Sequence, residues 1–236
     1  VSDELSAPRE GSAGPSGTVR GCDTADMLVI HGMFRRLFTD LPALVAGVPV
    51  GDSVRSAVVG AHVREVSAGL HAHHQGEDLL LWEKLESRAP ACALHVGQMR
   101  AQHQAVALEL GELENAVELW QTTNAVEDAE SVVDILTTIK ALLFAHLGQE
   151  ERQILPVAGV TLTQQEWDLL GAHGRTAIPR ERLMVQLGFI LEGFAPDERA
   201  GWLRENVPAP IRLLYRVIGR RQYEKNYRLV YGAAPL

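Results

Sequence analysis

His73 and Glu77 stand four residues apart, and so do His146 and Glu150. One further histidine precedes each pair at almost the same distance: His31 lies 42 residues before His73, and His103 lies 43 before His146. Residues i and i+4 share a helical face, so each pair presents an imidazole and a carboxylate side by side. Four imidazoles and two carboxylates gathered in a hydrocarbon core are costly unless something satisfies them. Metal ions do that. Mixed imidazole and carboxylate ligation suits iron, with manganese and zinc as the alternatives, and the two carboxylates suit the bridging of a pair of metals.

Such a gathering needs helices that run side by side. Asp23 and Thr24 are placed to cap a helix that continues to about Ala46, with Pro42 as a break or kink. A proline-free helix follows from Ser53 to Ser87, a third from Ala91 to Gln121 after Ala89-Pro90, and a fourth from Asn124, as its cap, to Ile154 before Pro156. Each shows apolar residues at three- and four-residue spacing, and a helix of about 30 residues is about 45 Å long. Four such helices on short loops pack as an up-down-up-down bundle, so the fold class is all-α. Beyond Pro156 the helices shorten: Thr163 and Glu166 form a capping box, and further helices open near Pro179, Pro196 and Pro210. The chain thus divides into a Gly/Ser/Pro-rich disordered arm over 1–22, a four-helix bundle over 23–157 and a helical extension over 158–236.

Composition narrows the function classes. The net charge of -8 gives the chain as a whole no attraction for nucleic acid. Arg212, Arg216, Arg220, Arg221, Lys225 and Arg228 do share the last helix with Tyr215, Tyr223, Tyr227 and Tyr231. That pattern reads as a helix docked through its tyrosines, with its arginines outward. Two cysteines, Cys22 and Cys92, make no disulfide framework and fit a cytoplasmic setting. No apolar run suggests a membrane span or a signal peptide. Of the remaining candidates, His74 forms an overlapping pair with Asp78, rotated by about 100° from the first, and is expected at the surface or behind the ligands. Glu151 repeats that doublet beside Glu150. His62 shares the stripe of His73 about three turns away and is expected as a buried, hydrogen-bonded histidine. His71, His95 and His173 have no partner pattern.

These paired motifs resemble the hemerythrin-like, or HHE, domain family over residues 23 to 157, and more softly an actinobacterial-type subgroup with a C-terminal helical extension. The resemblance implies a non-haem centre of two iron ions, held by His31, His73, Glu77, His103, His146 and Glu150. It further implies a small-molecule reactant, O2, hydrogen peroxide or nitric oxide, processed in an oxidase-, peroxidase- or catalase-like way. The alternative is reversible O2 or nitric oxide binding, sensing or iron storage without turnover. The C-terminal helices would then offer a surface to a second copy or another protein. One departure stands out: oxygen-carrying members have a second histidine on the third helix, four residues from the first, where this chain has Met99 before His103 and Ala107 after it. An open metal position there favours reaction over simple carriage.

Overall fold

The computed structural model describes residues 21–235. The disorder expected of the N-terminal arm therefore falls almost wholly outside the described residues. The arm's last two residues are anchored: the Gly21 amide donates to Leu162 O (2.8 Å) and the Cys22 amide to Gly159 O (3.0 Å). Among the described residues every regular element is helical, apart from one isolated bridge between Gly21 and Thr163.

Four long helices carry the fold: α1 (Ala25–Ala46), α2 (Ser53–Leu80), α4 (Ala93–Thr123) and α5 (Val126–Gln153). They close a ring in which α1 touches α2 and α5, and α4 touches α2 and α5. On α1, α4 and α5 the buried residues recur at helical spacing, such as Met27, His31, Phe34, Phe38, Leu41 and Val45 on α1. On α4 the stripe runs through Val96, Met99, His103, Val106, Leu110 and Leu113, and on α5 through Leu136, Ile139, Leu143, His146 and Glu150. The polar residues thus occupy positions that would otherwise carry hydrocarbon. Among the described residues α5 is the one helix long and apolar enough to cross a bilayer, but its polar pair, His146 and Glu150, lies at the centre of the ring.

Local chemistry sets the helix ends. The Asp52 side chain accepts from the Arg55 amide and caps α2. Asp23, rather than Thr24, does the same at α1, accepting from the Ala25 amide at 2.9 Å. Asn124 corrects the expectation that it starts the fourth helix. It ends α4 in the left-handed conformation (φ 51°), its amide donating to Trp120 O at 2.7 Å, and Ala125 is the cap of α5. Pro42 sits within α1 without ending it. The expected single helix to Ser87 is interrupted at Leu81, after which α3 (Trp82–Arg88) begins. An equivalent interruption at Ile154 precedes α6 (Leu155–Thr161). The two sites have nearly the same backbone angles, φ -102° with ψ -54° and -52°. Each lies four residues past the glutamate of its repeat, so the repeat extends to the backbone.

The remaining helices pack on both ends of the ring. After the capping box at Thr163 and Glu166, α7 (Gln164–Thr176) lies against α2. Gly76 permits that approach: a Cβ there would stand 3.0 Å from His173 Cδ2. Then α8 (Leu183–Leu191), α9 (Arg199–Asn206), α10 (Ala209–Leu214) and, after a π-turn at Tyr215–Gly219, α11 (Arg220–Tyr231) complete the chain. Phe189 on α8 packs against Tyr223 and Tyr227 of α11 and joins the core of the ring. As expected, the last helix docks through tyrosines, and these surround Phe189 and His62 rather than the polar layer.

Candidate metal centre

The buried apolar residues form two clusters. One contains Phe34, Leu70, Val106, Leu143 and Phe189, and the other contains Met27, Trp82, Met99, Ile154 and Trp167. Between them lie the six residues singled out by spacing. His31, Glu77, His146 and Glu150 are fully buried, His103 is nearly so, and the His73 side chain is 12% exposed. His73 Nε2 lies 3.2 Å from Glu77 Oε1, and His103 Nε2 lies 3.3 Å from Glu77 Oε2. His31 Nε2 and His146 Nε2 approach Glu150 Oε2 to 3.5 and 3.6 Å. The structure therefore brings all six together across four helices.

Three of the imidazoles are held from behind. His31 Nδ1 donates to Glu151 Oε1 (2.9 Å), His103 Nδ1 to Asp78 Oδ1 (2.8 Å) and His146 Nδ1 to Gln102 Oε1 (3.0 Å). An ionised carboxylate only accepts, so Nδ1 carries the proton and Nε2 is the nitrogen that faces the centre. Glu151 is steadied by Arg35 at 2.7 Å, Asp78 by Trp82 Nε1 at 2.6 Å, and Gln102 by donating to Gln149 at 2.8 Å. Asp78 and Glu151 occupy the same place in the two repeats, directly after the glutamate, and each serves the histidine of a neighbouring helix.

His74 departs from its expected surface role. It is 5% exposed and inside the layer, its ring stacked on His103 with centroids 4.1 Å apart and planes 8° from parallel. Its expected partner, Asp78, serves His103 and Trp82 instead. His62 also departs: it is buried, but neither ring nitrogen has a hydrogen-bond partner, and it packs against Phe189 and Tyr231. Glu65, one turn along α2, binds Arg182 in two hydrogen bonds instead.

Burial and close neighbours set the charges of the layer. Burial pushes His73 down to about 4 and His146 down to about 3, so both are neutral. At His103 burial opposes the charge, but the bonded Asp78 and the adjacent Glu77 outweigh it and raise the imidazole to about 9. Against burial, the neighbouring imidazoles, His73 foremost, hold Glu77 well below the usual carboxylate range. Burial, reinforced by Glu77 and Glu151, pushes Glu150 well above it. The Nε2 atoms of His31, His73 and His74 and all four carboxylate oxygens of Glu77 and Glu150 are buried without a hydrogen-bond partner. Such groups are rare in folded proteins and call for an explanation. A cation is one, because it takes both lone pairs and anionic oxygens. Donor atoms of His31, His73 and Glu77 lie within 4.8 Å of one another, as do those of Glu77, His146 and Glu150, and those of His74, His103 and His146. The donor set therefore fits metal, and its mixed imidazole and carboxylate character suits iron.

Neither the curated proteins nor the solved structures contain a significant match to the chain. A family model does match: that of the hemerythrin HHE cation binding domain, over residues 23–158. That span holds every donor named above together with both repeats, and the chain belongs to the hemerythrin HHE cation-binding family.

Proposed function

We propose that this chain is a non-haem di-iron protein that binds O2, hydrogen peroxide or nitric oxide and turns it over. The observation that carries the reading is the sheet of buried, unpartnered nitrogen and oxygen donors between two dry apolar clusters. Two bound irons would supply the redox chemistry for reducing a small oxidant, with an external electron donor restoring them for sustained reduction of O2 or nitric oxide. His31, His73, Glu77, His103, His146 and Glu150 would hold them.

The chain's own residues do the rest. Asp78, Glu151 and Gln102 fix the ring orientations of three histidines, so the donors are preorganised. Phe34, whose ring lies 5.3 Å from that of His73, walls the one partly exposed donor. That enclosure favours a reactant of two to four atoms over an organic substrate. The donors present do not fill the coordination of two such metals, which leaves room for a small molecule.

The test is metal content with the optical spectrum of the air-exposed protein, beside a His73→Ala/His146→Ala double variant. Two irons per chain with near-ultraviolet charge-transfer bands, both lost in the variant, are expected. Iron content untouched by the double substitution would sink the reading. Peroxide and nitric oxide consumption then separates turnover from binding: a form that takes up O2 and releases it intact would move the chain to reversible carriage.

A further inference from the structure

We propose that His74 is a metal ligand, supplying from α2 a third imidazole beside His103 and His146. The proposal rests on the two-metal reading of the centre. His74 is a consecutive neighbour of His73, and a surface position is excluded by its burial. Its Nε2 is buried without a hydrogen-bond partner, as the ring nitrogens of His62 are, but unlike His62 it lies among the donor atoms of the layer. Its ring stacks on His103 and meets the His146 ring at 79° with centroids 4.9 Å apart. His74, His103 and His146 each place a donor atom within 4.8 Å of the other two.

Met99, four residues before His103, offers no imidazole to the layer. It is fully buried and belongs to the apolar cluster below the layer, packed among Trp82, Ile154 and Trp167. His74 instead reaches His103 and His146 from the adjacent helix. The centre then has two unlike halves. One is formed by three imidazoles, His74, His103 and His146. The other is formed by His31 and His73 with Glu77; Glu77 also lies next to His103 and His146, and Glu150 lies next to both His31 and His146. Two metals in such unlike surroundings bind with different strengths, and the three-imidazole half depends on His74.

The experiment is an anaerobic Co(II) titration of the whole chain, followed by visible absorption, comparing the native protein with His74→Ala and His62→Ala. His62 lies on the same helix, is equally buried and stands outside the layer, so His62→Ala controls for loss of a buried imidazole. Two binding steps are expected for the native protein and for His62→Ala. In His74→Ala one step weakens at least about tenfold, the lower end of what even an outer partner's loss costs, and the Co(II) bands change. Two unaltered steps with an unaltered spectrum in His74→Ala would overturn the proposal while leaving the two-metal reading intact. A native protein that takes up no pair of ions would overturn both. If His74→Ala does not fold, proton NMR of the Co(II)-loaded native protein decides: five paramagnetically shifted ring N–H signals support ligation by His74, and four refute it.

Discussion

The second row of residues makes the centre more than a meeting of donors. His103 and His31 owe their orientation to Asp78 and Glu151, carboxylates that take Nδ1 and leave Nε2 inward. Removing such a partner from a metal-bound histidine costs about 10- to 100-fold in affinity. Asp78→Ala and Glu151→Ala are each expected to weaken metal retention by that factor without abolishing it, read as competition against a chelator of known affinity. Retention equal to the native protein's would mean that packing alone orients the rings. The six spaced residues were legible because their repeat survives in one dimension. His74 was not, and the reason is geometric. Consecutive residues on a helix differ by about 100°, so a helix with one inward face can use only one of them. But α2 sits at a corner of the ring with two neighbours. His73 turns to α1, beside His31 and Phe34, while His74 turns to α4 and stacks on His103. The signal was present only as an unexplained His-His doublet. Asp78 and Glu151 were visible as a doublet too, but only the folded chain shows that each serves a histidine on a different helix.

At the scale of elements, the sequence yielded the four long helices and misjudged their ends. The interruptions at Leu81 and Ile154 leave no mark in apolar periodicity, because the stripe continues through them into Trp82 and Leu155. Asn124 was read as a cap for the wrong helix because a polar residue between two helices suits either one; only its positive φ decides. The capping box of α7 was legible because both its partners lie within one turn. Glu166 does a second job there, bonding Arg88 at the end of α3 through two hydrogen bonds of 2.6 and 2.7 Å. That Arg88 contact holds the Glu166 carboxyl down to about 2, against an ordinary 4.5. The folded chain thus prefers the ionised form, so this clamp contributes fully above about pH 4.5 and is lost as the pH falls towards 2. Glu166→Gln is expected to lower the thermal midpoint at pH 7. The gap to the native protein should narrow at pH 3. A gap that is constant with pH would show that the carboxylate charge contributes nothing to the clamp.

The molecule as a whole joins an apolar bundle to a polar layer at its middle, and its extension belongs to the same body. Trp167 enters the apolar cluster on one side of the layer, its Nε1 donating to Asp26 at 2.9 Å, while Phe189 and Tyr223 enter the cluster on the other. Sequence could show that the helices after Pro156 were shorter, but not that they divide between the two ends, because those contacts lie more than a hundred residues apart. A ligand that binds only the folded chain stabilises it by mass action, about 2.7 kcal/mol at 100-fold excess over the dissociation constant. Here the bound ion would also relieve donors that have no other partner. Anaerobic Fe(II) loading is therefore expected to raise the melting temperature and a chelator to lower it again, measured by scanning calorimetry; identical melting with and without metal would contradict that coupling. The internal repeat carries one more consequence. The first half of the chain brings His31, His73, His74 and Glu77, and the second brings His103, His146 and Glu150. Asp78 reaches across to His103, and Glu151 reaches across to His31. Each half is an incomplete chelator that also carries the clasp for the other's ring, so a filled centre amounts to a seam: metal occupancy reports whether the two halves have docked in register.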